Sequence, residues 1–366
     1  MDGHEPVSIC QYSGGVHMTT TRRDFIKRML IGGGCLIFSP SPVYALVQKE
    51  RQWYPGYAKL EEEGKLAERV EQALSIFEAC RLCPRECGAN RLDGEQGFCK
   101  APSKVMVHTA QPHFGEELSL VGRSGSGTIF FSHCNLRCLF CQNWPISIKG
   151  EGRAVTDEEL AKMMMFLQDI GCHNINLVTP THVMPNILNA TRTALRKGLR
   201  IPLVYNTSGY ERLDIVKLLD GIVDIYLPDI KYMDGAMAAK YSSDAWDYPQ
   251  VATAAVFEMN RQVGVHQVDR QGVARKGLMI RHLVMPNRVA GTKKFVEWVA
   301  ENLPHTTYIN IMPQYHVAYK AYEYPKIARG ITVQEFLEAM DWAQEHGLTR
   351  MDPHSIRVRD HYARSR

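Results

Sequence analysis

The chain has 366 residues, 45% hydrophobic and 22% charged, a globular composition that excludes a disordered or collagen-like protein. Its net charge of +4 is too mild and too scattered for a nucleic-acid footprint, so no nucleic-acid partner is expected. The longest apolar run, Met29 to Phe38, is ten residues with three glycines; a membrane span needs about 20, so no integral helix is expected. Length points to two units, or to one large α/β barrel with an appendage.

The N-terminus reads Thr-Arg-Arg-Asp-Phe-Ile-Lys over 21–27, then a short apolar stretch, then Val43-Tyr44-Ala45 with small residues suited to cleavage. This order resembles a twin-arginine export signal. Met18 is the expected start, because residues 1–17 are polar and without pattern. Cys35 falls in the apolar stretch of that signal.

Ten cysteines follow an uneven pattern: four at 80, 83, 87 and 99, three at 134, 138 and 141, and Cys10, Cys35 and Cys172 alone. A chain of this size buries a sufficient core without disulfides, so clustered thiols read first as ligands of a metal or cluster. From Leu60 to Ala79 apolar residues recur at helical spacing. Residues 80–125 hold the four cysteines among glycines and prolines, with little periodicity.

From Ser126 onward short apolar runs alternate with helical stretches. The expected strands are 127–132, 174–178, 201–205, 222–227, 278–284 and 308–312. The expected helices are 156–170, 183–198, 210–220, 249–263, 291–302 and 332–346. Continuous apolar strands with right-handed crossovers give a parallel sheet. Six units are too few for a closed eight-fold barrel, so the expected fold is α/β: a partial (βα)6 TIM-like barrel preceded by a small cysteine-rich metal-binding segment. The chain divides into a signal region (1–45), a helix plus cysteine-rich segment (46–125), a barrel core (126–347) and a C-terminal tail (348–366). Chemistry in such a core sits on the loops after the strands.

The loop after the first expected strand carries Cys134-x3-Cys138-x2-Cys141. Three thiolates leave one iron of a four-iron cluster without a protein ligand, and an open metal position is a substrate site. A zinc site completed by His133, or three buried thiols, are the other readings of the same residues. Cys80-x2-Cys83-x3-Cys87-x11-Cys99 supplies four thiolates, a closed set for zinc or for a second cluster, or else free thiols or a disulfide. Met163-Met164-Met165 is expected to pack inside a helix.

With Phe140 before its last cysteine, the 134–141 loop resembles the signature of the radical S-adenosylmethionine superfamily. From about Cys80 to about Gly347 the chain is similar to the branch related to pyruvate formate-lyase activating enzymes, the PflX-like iron–sulfur proteins. That resemblance implies a [4Fe–4S] cluster on Cys134, Cys138 and Cys141. It also implies reductive cleavage of S-adenosylmethionine to a 5′-deoxyadenosyl radical that abstracts hydrogen. By the same resemblance Lys231 pairs with the methionine carboxylate, Asp229 orients it, and Asn206 lies near the ribose. Arg281 lines the adenosine pocket and His316 lies near the cofactor. Where many members carry Gly-Gly-Glu-Pro, this chain has Thr179-Pro180-Thr181-His182.

The implied function is an activase that installs a glycyl radical on a partner protein, or an enzyme acting on a small molecule. A flavodoxin or ferredoxin-type reductant is implied with it. The alternative is a non-catalytic iron–sulfur carrier or a zinc- or cluster-stabilised binding protein. Action in the cytoplasm is expected, with export as the alternative because of the signal.

Overall fold

Six near-continuous apolar strands run parallel and carry helices on their outer face. The structure is a computed structural model that describes residues 53–364; the signal region, Cys10 and Cys35 lie outside them. In chain order the strands are β1 (Val105–His113), β2 (Ser126–Phe131), β3 (Arg153–Val155), β4 (Ile175–Val178), β5 (Leu203–Thr207), β6 (Ile225–Pro228), β7 (Gln267–Val268), β8 (Ala274–Leu283) and β9 (Tyr308–Met312). The pairs β2–β4, β4–β5, β5–β6, β6–β8 and β8–β9 are parallel. Helices Asp157–Asp169, Met184–Arg196, Leu213–Leu218, Tyr248–Val263 and Thr292–Asn302 make the crossovers, and Val333–Glu345 follows β9. The result is the partial (βα)6 barrel that the strand count implies.

Alternation along each strand sorts the side chains. Ile129, Leu177, Tyr205, Tyr226, Ile280 and Ile311 point outward into the core shared with the helices. The opposite parity, which includes Asn176, Asn206, Asp229, Arg281 and Asn310, faces the barrel interior. An apolar plug of Val204, Ile225, Leu227, Met279 and Tyr308 fills one end of that interior. The polar residues follow it toward the C-terminal ends of the strands.

Three elements differ from the sequence expectation. The helix expected over Leu60–Ala79 is two helices, Gly56–Glu62 and Lys65–Ser75, because Gly64 takes φ +74 between them. Strand β1 lies inside the stretch that lacks periodicity; it pairs antiparallel with β2 and β3 and extends the sheet by one edge. Its inner half alternates in burial only at Val105 and Val107, too short a pattern to announce a strand. The residues read as a tail form the helix Pro353–Arg364, docked where Ser355 Oγ donates to the Ile311 carbonyl at 2.8 Å. That helix is strongly polar and buries only Ser355 fully, so it carries little amphipathic signal. No helix of the described residues is long and apolar enough to cross a membrane.

Gly127 opens β2 against the Asn174 turn, and a Cβ there would stand 2.6 Å from the Asn174 carbonyl oxygen. That neighbour is backbone and cannot swing aside. Gly127→Ala is therefore expected to cost about 1–3 kcal/mol, read as a lower denaturation midpoint at unchanged m-value.

Candidate active site

The loop leaving β2 carries the three thiols to the C-terminal mouth of the barrel. His133 and Arg137 take left-handed φ of 74° and 51°, and these two turns fold the short Cys-x3-Cys-x2-Cys segment back on itself. Backbone bonds pin the loop on both sides: His133 N donates to the Ile146 carbonyl at 3.0 Å and Leu139 N to the Tyr241 carbonyl at 2.8 Å. Each sulfur has a hydrogen-bonding neighbour. Leu136 N lies 3.3 Å from Cys134 Sγ, Ser242 Oγ 3.0 Å from Cys138 Sγ and Ser147 Oγ 3.0 Å from Cys141 Sγ. Burial pushes the Cys138 thiol up to about 12, so at neutral pH it ionises only where a cation takes the place of its proton.

The same cavity is lined by Thr179, Asn206, Asp229, Lys231 and Arg281. Four of these five are residues singled out from the sequence, and the fold brings them together from β5, β6 and β8. Asp229 is the hub. Its Oδ2 accepts from Lys231 Nζ at 2.6 Å and its Oδ1 from Arg281 Nε at 2.8 Å. Arg281 also reaches Asn206 Oδ1 at 2.5 Å and Glu116 Oε2 at 3.3 Å. The three charged side chains are only 14–19% exposed, and they line the cavity. Burial opposes the Asp229 carboxylate, yet Arg281 and Lys231 hold it below the usual range. Burial likewise opposes the Lys231 charge, and Asp229 more than restores it. An ammonium, a guanidinium and three thiols in one cavity suit a zwitterionic ligand beside a thiophilic metal.

Several supporting residues had no separate sequence signal. The Tyr248 hydroxyl accepts from Lys231 N at 2.9 Å and stands against the carbonyls of Ser208 at 2.7 Å and Asp229 at 3.0 Å. A Cβ at Gly209 would sit 2.3 Å from the Asp229 carbonyl, which explains the glycine in Asn206-Thr207-Ser208-Gly209. Glu116 comes from the unpatterned stretch after β1. Strand parity was the signal available for Asn176 and Asn310, polar residues at inward positions of otherwise apolar runs.

Other expected contacts fall elsewhere. His316 is exposed outside the cavity lining, its Nδ1 3.1 Å from Gln142 Nε2, and Gln142 is the residue that reaches the cavity. Its partner Tyr315 is turned into the packing and donates to the Ile327 carbonyl at 2.6 Å. His282 points outward, stacked on Phe295 at 4.2 Å, and burial pushes it down to about 4, so it is a neutral core residue. In the Thr179–His182 turn only Thr179 lines the cavity. Thr181 instead donates to Glu211 Oε1 at 2.5 Å. Cys80, Cys83, Cys87 and Cys99 lie behind the 134–141 loop, outside the cavity lining. Met164 is in the core and its two neighbours pack against it.

The radical SAM superfamily profile matches residues 128–244 of this chain. An uncharacterised protein of Methanocaldococcus jannaschii, MJ0674, is 32% identical over 290 residues, covering 76% of this chain and 78% of that one. Among solved structures, methylornithine synthase (PylB) aligns at 12% identity and a TM-score of 0.42, over 84% of this chain and 78% of that one. The anSMEcpe structure with bound AdoMet aligns at 13% identity and a TM-score of 0.40, over 58% of this chain; the chain spans 57% of its length.

Glu211 provides a pH test of this scaffold. Its buried carboxyl accepts from Thr181, Thr207 and Tyr205, and burial pushes it up to about 7 from 4.5. The folded state therefore keeps a proton that the unfolded state loses, and this group's contribution to stability falls as pH rises from 4.5 to about 7. The loss amounts to about 2–4 kcal/mol at 1.36 kcal/mol per unit. Glu211→Gln is expected to reduce the slope, seen when urea midpoints at pH 5 and pH 7.5 are compared with those of the parent chain; Asp224, also buried and pushed up to about 7, keeps the remainder. An unchanged slope in the variant would show that Glu211 does not carry it.

Proposed function

The chain belongs to the radical S-adenosylmethionine superfamily, and we propose that its barrel mouth binds S-adenosylmethionine beside a [4Fe–4S] cluster for hydrogen abstraction. One observation carries this: three thiols with no fourth cysteine share a cavity with Lys231, Asp229, Arg281 and Asn206. The donor set fits the cluster, because three thiolates leave one iron free for a ligand that is not protein. When bound, the cluster supplies the single electron that splits the sulfonium into methionine and a 5′-deoxyadenosyl radical.

The chain's own residues bind and orient. Cys134, Cys138 and Cys141 are the cluster ligands. Lys231, held in place by Asp229, offers its remaining N–H bonds to the methionine carboxylate. Asn206 and Arg281 flank the ribose and adenine, and Thr179 offers backbone and hydroxyl groups in place of the Gly-Gly-Glu-Pro turn. Leu283 and Met312 give that part of the cavity apolar walls that exclude water.

The hydrogen donor we propose is a glycyl residue of a partner protein, supported by the resemblance of the 224–234 and 281–284 segments to activating enzymes. A flavodoxin or ferredoxin-type protein is the proposed electron source. Both S-adenosylmethionine and such reductants belong to the cytoplasm, which is the proposed place of action.

Reconstituted anaerobically with iron and sulfide, the chain is expected to release 5′-deoxyadenosine and methionine under dithionite, and Cys138→Ala to release none. A chain loaded with cluster that yields no 5′-deoxyadenosine would end this reading. Lys231→Met is expected to weaken S-adenosylmethionine binding about 10–100-fold by equilibrium dialysis, the loss of one charge-assisted hydrogen bond.

A further inference from the structure

The second cysteine set is not used by the chemistry above. Cys80, Cys83 and Cys99 are buried and Cys87 is exposed, and none is in a disulfide. The segment that bears them has no helix or strand; its chain is folded by turns that bring the thiols together. Cys80 N donates to the Ala89 carbonyl and Gly88 N returns to the Cys80 carbonyl, both at 3.0 Å. A Cβ at Gly97 would stand 2.2 Å from Cys87 Sγ, so the 97–99 turn closes directly over that sulfur.

A buried cation in the same segment points to bound metal.

The cation is Arg91. It is 1% exposed, lies over the Phe77 ring at 4.2 Å and donates to the carbonyls of His182 and Pro102. No carboxylate pairs with it among the described residues, and its buried Nε has no hydrogen-bond partner. Its side chain lies beside Cys80. A guanidinium this deep requires an anion beside it. Four thiolates around a metal core supply one.

We propose that Cys80, Cys83, Cys87 and Cys99 hold a second iron–sulfur cluster, closed by four protein ligands and charge-balanced by Arg91. Zinc is the other occupant that four thiolates can close around, and its presence in the purified chain is the outcome that overturns a cluster. The centre abuts the active-site loop. Asn135 stands between the two sets, its Oδ1 4.0 Å from Cys134 Sγ and its side chain beside Cys83. Arg85, next to Cys83, donates to the Asn135 and Ser242 carbonyls at 3.1 Å. This proposal goes beyond the S-adenosylmethionine reading and stands without it.

The test is a full-length chain with Cys134, Cys138 and Cys141 all changed to Ala, purified anaerobically. It is expected to retain one cluster, about two or four iron with as much sulfide per chain. On reduction it should give an electron paramagnetic resonance signal that S-adenosylmethionine leaves unchanged, because no iron is open. Adding Cys80→Ala and Cys83→Ala should remove the iron. A folded triple variant holding zinc, or no stoichiometric metal, overturns the proposal. If the triple variant does not fold, the parent chain decides: iron in excess of one four-iron cluster supports a second centre, and a single cluster's iron overturns it.

Discussion

The Asp229 carboxylate, accepting from Lys231 on one oxygen and Arg281 on the other, is the interaction on which the barrel mouth depends. Nearly buried charges are stable only when paired, and removing one partner of such a pair costs about 3–5 kcal/mol. Through Arg281 the carboxylate joins β6 to β8, to Asn206 on β5 and to Glu116 after β1. Four segments far apart in sequence are thereby held in one geometry. The Asp229 and Lys231 backbones are held separately by the Tyr248 hydroxyl, so the ammonium is placed by main chain as well as by charge. A site organised this way is pre-formed, which lowers the ordering cost of binding a flexible, charged ligand.

The cysteine loop is held by a different device. Left-handed turns and backbone bonds to Ile146 and Tyr241 set its path, and Ser242, Ser147 and Leu136 N face its sulfurs. Ser242 also accepts Arg85 through its carbonyl, and its hydroxyl meets Tyr232 at 2.9 Å. The segment around Cys83 and the segment around Cys138 are thus fastened to the same residue. An appended metal knot would not need such fastening. The contacts through Asn135 and Arg85 make the four-cysteine segment part of the wall behind the active-site loop.

Several buried groups away from the mouth are kept neutral or capped instead of paired. His282 and His182 are pushed down by burial; His282 spends both ring nitrogens on the Ile230 carbonyl and Thr292 hydroxyl, and His182 its Nε2 on the Ser132 carbonyl. Glu211 keeps two threonine hydroxyls and a tyrosine at its carboxyl. His316 shows the converse: adjacent in sequence to a buried tyrosine, it lies on the rim because Tyr315 takes the inward position and successive residues of an extended chain face opposite ways.

Features that are local were legible along the chain. Three ligands within eight residues, Cys134 to Cys141, announce a site wherever the chain folds, and short continuous apolar runs and period-3.6 patterns mark six strands and six helices. Strand β1 and the final helix escaped because too few of their residues face the core to leave a pattern. That Asn206, Asp229, Lys231 and Arg281 meet follows from the fold. Parallel register aligns Asn206 with Leu227 and brings Asp229 opposite Arg281. The same holds for Glu116, Tyr248 and Asn135, whose partners lie 165, 17 and 75 residues away. Such contacts come from sheet register and from chain crossing behind a loop, and neither is written in the spacing of residues along one segment.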